Sequence, residues 1–185
     1  MDRGMDFLRS QVNNAVMQHR SFCDALRDHE EQAEDSRYRE LCARFRPIME
    51  GHQRMIEEYA RRIEADQAGS TAKKVLGKAA GMARDLADMG RESDFLRLVG
   101  DIVMSRQAED TFRTFREAGR MLGDVELQRI GEECERDHDA YADAANRLVQ
   151  QMFVEHVRDV APGQTAAAST TRRTGTTGTQ PETRL

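Results

Sequence analysis

Before residue 160 the chain contains one proline, Pro47, and through that whole stretch its apolar residues recur at alternating spacings of three and four. That rhythm places one side chain per turn on the same face of an α-helix, and Pro47, inside the second helix, should bend it by removing a backbone donor and clashing with the preceding turn. The body is rich in Ala, Leu, Met, Arg and Glu, which are strong helix formers, and shows no strand-type alternation. An all-α fold follows. The stripe of a first helix runs through Leu8, Val12, Ala15, Phe22 and Leu26, and that of a second through Tyr38, Leu41, Phe45, Ile48, Met55, Tyr59 and Ile63. A third stripe passes through Phe95, Leu98, Val99, Ile102, Phe112, Phe115 and Leu122, and a fourth through Leu127, Ile130, Cys134, Tyr141, Ala145, Leu148 and Met152. Asp35 or Ser36 offers a cap to the second helix, Ser93 or Asp94 to the third, and Gly123-Asp124 a tight turn into the fourth.

The spacing of these helices predicts their topology. The first two are separated by a few residues, as are the last two, and short links make antiparallel neighbours. A much longer link joins the pairs and carries a short amphipathic stretch through Val75, Leu76, Ala79, Met82, Leu86 and Met89, ending at Gly90. Two antiparallel hairpins joined by a long crossover containing a short helix is the ferritin-like four-helix bundle, expected over residues 1–160. Residues 161–185 are Thr- and Gly-rich with no large apolar residue before the last position, and are expected to be a disordered tail.

Charge and cysteine usage narrow the function classes. A formal charge of -5 spread over intermixed acidic and basic residues gives no nucleic-acid-binding face. No stretch matches a secretory h-region or a membrane span, so a cytoplasmic protein is expected. Cys23, Cys42 and Cys134 are odd in number, lack CxxC spacing and fall near apolar helix positions, which reads as reduced core thiols.

Each apolar stripe turns one ionisable group inward. On the first helix the rhythm lands on His19, on the second on His52, on the third on Glu109 and on the fourth on His138, with Glu135 one turn before it. Glu109 lies fourteen residues before Gly123, and Glu135 and His138 lie twelve and fifteen after it, so an antiparallel hairpin brings them to one level. A buried ionisable group must be paired, neutralised or metal-bound. Carboxylate and imidazole donors converging on a bundle axis suit iron, manganese or zinc.

The stretches LCARFRPIMEGHQRMIEEYARRIE and LGDVELQRIGEECERDHDAYADAANRLV resemble the YciE/YciF-type family of bacterial ferritin-like proteins, with the likeness extending over roughly residues 5 to 155. The resemblance implies a stress-associated four-helix bundle with a dinuclear carboxylate site. A homodimer or larger homo-oligomer is expected. In that family the second helix supplies Glu-x-x-His. Here His52 matches the histidine, but Met49 stands where the glutamate belongs and Glu50 lies about 100° around the helix. The expected ligand set is therefore His19, Glu50, His52, Glu109, Glu135 and His138, an altered or partly lost di-iron-type site. The competing reading is a metal-free helical scaffold or interaction protein.

Overall fold

The computed structural model describes residues 3–65 and 93–160. Among them lie four helices and no strand: α1 (Arg3–Gln32), α2 (Ser36–Arg62), α3 (Asp94–Leu122) and α4 (Val125–Val160). The expected short helix between Val75 and Met89 and the tail from residue 161 lie outside the described residues.

Local chemistry sets the helix ends. Asp35 caps α2, its side chain accepting from the Arg37 amide at 2.8 Å, which satisfies one of the orphan donors of the first turn. Ser93 holds the cap position of α3 without a side-chain bond, while Asp94 Oδ2 accepts from the Asp35 amide at 2.7 Å and ties the start of α3 to the α1–α2 turn. Gly123 adopts φ 69°, a left-handed conformation open to glycine at little cost, and ends α3. Asp124 then accepts from the amides of Glu126 at 3.1 Å and Leu127 at 2.9 Å and starts α4. α2 runs through Pro47 as one helix.

Side-chain bonds fix the relative directions. Arg9, near the start of α1, donates to the Ile63 carbonyl just beyond the end of α2, so these two run antiparallel. Arg37 at the start of α2 is bidentate to Glu155 near the end of α4, and Arg62 at the end of α2 pairs with Glu126 at the start of α4, so this pair is also antiparallel. His29 near the end of α1 reaches Asp101 near the start of α3. Around the bundle the order is α1, α2, α4, α3. The chain leaves α2 beside the α3–α4 turn and enters α3 beside the α1–α2 turn, at opposite ends of helices about 40 Å long.

The α3–α4 contact is the tightest. A Cβ placed on Gly131 would lie 2.3 Å from the Arg116 backbone nitrogen, and one on Gly119 2.3 Å from that of Gln128. Glycine at both positions lets the two backbones touch.

Two apolar clusters fill the interior. One surrounds Phe22, Leu26, Tyr38, Phe45, Met49 and Tyr141, and the other Val12, Ile56, Tyr59, Phe112, Phe115, Leu127 and Ile130. The α2 stripe differs from the sequence expectation after Pro47. Met49 and Ile56 are buried, whereas Ile48 is exposed and Met55 and Ile63 are only partly covered. The buried run Phe45, Met49, His52, Ile56 still advances by three and four, so the heptad extrapolation through Ile48 chose the neighbouring ridge. Leu122, expected in the α3 stripe, is 61 % exposed beside the turn.

Candidate metal centre

Between the two apolar clusters, His19 of α1, His52 of α2 and His138 of α4 meet at one level, all buried. One ring nitrogen from each lies within 4.8 Å of the other two, the one group of potential metal ligands found among the described residues. An equilateral triangle of that edge has its centre about 2.8 Å from each corner, so closing on an ion at about 2.0–2.2 Å needs shifts below about 1 Å.

What distinguishes this cluster is the state of each ring. Gln53 donates through Nε2 to the Val16 carbonyl at 3.2 Å and to Glu57 at 2.7 Å, so its Oε1 is left to accept from His19 Nδ1–H at 3.0 Å. Ser105 Oγ donates to the His138 backbone carbonyl at 3.0 Å and therefore accepts from His138 Nδ1–H at 3.1 Å. Asp137 Oδ2 accepts from His52 Nε2–H at 3.1 Å. The bonded nitrogen of each ring thus carries the proton, and the other keeps a bare lone pair. Those other atoms, His19 Nε2, His52 Nδ1 and His138 Nε2, are buried and have no hydrogen-bond partner.

Burial reinforces the neutral state. It pushes His19 down to about 4, against the Gln53 bond that acts the other way, and the nearby His52 lowers it further. Burial likewise lowers His52, opposed by Asp137, and takes His138 well below the ordinary range with help from His19 and His52. Three neutral imidazoles face one another with acceptors only, in the protonation state that metal coordination requires. Aromatic rings close around them. Phe112 stacks on His138 with centroids 5.5 Å apart, Phe22 lies 5.3 Å from His138, and Phe112 meets His19 edge-on at 5.7 Å.

The expected carboxylates go elsewhere. Glu109 is buried, yet its two oxygens are held by Arg113 at 2.6 Å and Arg106 at 2.6 Å. Glu135 is taken by Arg113 and Arg116. Glu50 pairs with Arg46 at 3.2 Å and Arg27 at 3.5 Å on the α1–α2 face. Of the six expected ligands, the histidines converge and the glutamates form arginine-bound networks. At the level of His138, α3 presents Ser105, one turn from Glu109.

Sequence reading did not single out Ser105, Gln53 or Asp137. Gln53 and Asp137 adjoin two of the histidines in sequence and Ser105 interrupts the α3 stripe, so a search for polar residues beside inward imidazoles finds them. Cys23 lies behind His19, its Sγ 3.6 Å from Nδ1, and burial pushes its thiol up to about 12. All three cysteines are free and buried.

A second buried polar cluster lies one turn along α4. Asp101 Oδ2 accepts from Tyr38 at 2.6 Å, Tyr141 at 3.1 Å and His29 Nδ1 at 3.0 Å. Burial and the adjacent Asp101 carboxylate raise both tyrosine hydroxyls far above their usual range, so they stay protonated donors.

No family model, curated protein or solved structure matches the chain. Among the described residues no helix is long and apolar enough to cross a membrane.

Proposed function

We propose that this protein is a metal-binding four-helix bundle whose centre is a mononuclear tris-imidazole site formed by His19, His52 and His138. The observation that carries the reading is that three buried histidines bring ring nitrogens within 4.8 Å of one another, and that on each ring one buried nitrogen has no partner while the other is fixed by an acceptor. Metal-bound histidines are characteristically held this way, with the outer N–H engaged so that the ring's orientation and tautomer are set. Leaving three such acceptors desolvated is costly unless a cation meets them.

The topology supports a ferritin-like origin. The described chain leaves the first hairpin at one end of the bundle and begins the second at the other, as a ferritin-like crossover requires. On this reading the chain is a divergent relative of the YciE/YciF type in which arginines have captured the carboxylates that would have bridged two metals. Neutral nitrogen donors suit zinc, iron or copper better than manganese, which favours oxygen. The metal-free scaffold has support in the same arginine pairs, which satisfy Glu109 and Glu135 without an ion.

Elemental analysis after separate anaerobic loading with Zn2+, Fe2+, Mn2+ and Cu+, together with thermal unfolding, decides between them. One equivalent of an ion that raises the unfolding temperature in the wild type and fails to do so in His52→Ala supports the centre. Less than about a tenth of an equivalent of every ion leaves the scaffold.

A further inference from the structure

We propose that a metal ion enters and leaves the three-imidazole centre between α2 and α4, past His52, with the His52–Asp137 bond as the latch of that passage. The inference rests on the tris-imidazole reading above and concerns the route to that centre.

The three rings are held with unequal firmness. His138 is bonded to Ser105, which is buried and also donates to the His138 carbonyl, so ring and backbone are tied to one hydroxyl. His19 is bonded to Gln53, itself buried and anchored on the Val16 carbonyl and on Glu57. Phe22 and Phe112 pack against both of these rings. His52 is held differently. Its bonded nitrogen meets Asp137, whose side chain is 21 % exposed and whose further partner is Arg136, an exposed neighbour on the same helix. Exchanging that bond for water costs less than pulling Ser105 or Gln53 out of the core, because water satisfies both a partly solvated carboxylate and an imidazole N–H. Of the three rings, His52 is the one free to turn outward.

The backbone beside it can yield as well. Pro47 has no amide to donate and Gly51 carries no side chain, so the turn of α2 that leads into His52 holds both residue types that weaken a helix interior. No close approach demands the glycine, since a Cβ on Gly51 would meet only the Arg54 guanidinium at 3.8 Å, whereas those on Gly119 and Gly131 would strike the backbone of the facing helix. Thus α3 is clamped to α4 while α2 can bend away from it. Charge favours the same side. Glu133 and Asp137 lie one turn apart on α4, and both act on His52 in the sense that favours a cation there, partly offset by Arg129 and Arg136. Carboxylates that flank an opening raise the local concentration of cations. On the α1–α2 face Gln53 closes the way to His19, and on the α3–α4 face Glu109 and Glu135 are taken by arginines over the tightest backbone contact.

The test follows Zn2+ uptake by the metal-free full chain in stopped flow and its release into excess chelator, with Fe2+ in its place if zinc is not taken up. Glu133→Gln is expected to slow uptake about two- to fivefold at low salt, with the difference fading as salt is added. Glu50→Gln, which removes a carboxylate from the α1–α2 face, leaves the uptake rate unchanged. Gly51→Ala stiffens α2 and is expected to slow uptake and release by one common factor, about two- to fivefold, with Kd unchanged. A residue that merely supports the fold would shift affinity instead of both rates together. Slowing in Glu50→Gln that equals or exceeds that in Glu133→Gln, or wild-type rates in Gly51→Ala, overturns the passage. The tris-imidazole centre stands in that case, because one equivalent is still bound at equilibrium. If no ion of the loading series binds, the centre and its passage fall together.

Discussion

The two polar clusters in the core sit one helical turn apart, share the aromatic neighbour Phe22–Tyr141, and are finished in opposite ways. Around Asp101 one carboxylate oxygen gathers two tyrosine hydroxyls and an imidazole, so donors and acceptor meet within the protein. Around His138 the protein supplies acceptors alone. One nitrogen of each imidazole is satisfied and the other is left buried without a partner, on rings whose nitrogens come within 4.8 Å of one another. Asp101 also keeps one unpartnered oxygen, but it stands singly, whereas the three imidazoles converge. A buried polar cluster that is closed on itself contributes to the fold, and one left open toward a single point asks for a ligand.

That contrast can be broken by measurements on the metal-free protein. The largest effect is expected for Asp101→Ala, which removes the shared acceptor of the buried Tyr38 and Tyr141 hydroxyls and the half-buried His29 and should cost about 4 kcal/mol in urea unfolding. A change below about 1 kcal/mol would mean that the knot is not structural.

Acidification attacks the other cluster. The folded His19 sits near 4 while its unfolded counterpart titrates near 6.5, so between those values the unfolded chain binds more protons. Stability therefore rises with pH across this window, is fully present above about 6.5, and is lost on the way down to about 4. His19 alone accounts for on the order of 3 kcal/mol, with His52 and His138 adding in the same direction. Urea midpoints that stay flat from pH 7 to 4.5 would contradict the buried neutral triad.

His138→Leu separates the clusters most sharply. Removing a desolvated imidazole for an apolar side chain of similar size should leave metal-free stability within about 1 kcal/mol of the wild type, while abolishing metal-induced stabilisation. Ser105→Ala should be the mildest, costing about 0.5–1.5 kcal/mol without metal and lowering metal affinity about tenfold, because His138 loses the acceptor that fixes its ring. Calorimetry on both variants, with and without ion, reads the two quantities together.

The sequence was informative about the scaffold because helices are written in local spacing. The first and fourth stripes, most of the third, the Asp35 cap, the Gly123 turn and the inward positions of His19, His52 and His138 are legible from residues a few places apart, whereas the second stripe shifts to Met49 and Ile56 after Pro47. The glutamates were harder to place, since Glu109 is inward by spacing and buried in fact, but what it meets is decided by Arg106 and Arg113 at i−3 and i+4. An arginine beside a carboxylate reads as ordinary surface pairing, and nothing in the spacing says that the pair reaches into the stripe. The Asp101 knot was invisible for another reason. Its four members lie on α1, α2, α3 and α4, up to 112 residues apart from His29 to Tyr141, and only the packing of all four helices brings them together.

The distribution of the three imidazoles over the chain has a mechanical meaning. His19 and His52 ride on the first helical pair and His138 on the second, whose backbones are pressed together at Gly119 and Gly131. An ion at their meeting point would act as a clasp between two halves already tied by the Arg37–Glu155 and Arg62–Glu126 pairs and by the Asp101 cluster. Withdrawing it would slacken the docking of one half on the other before either half melts.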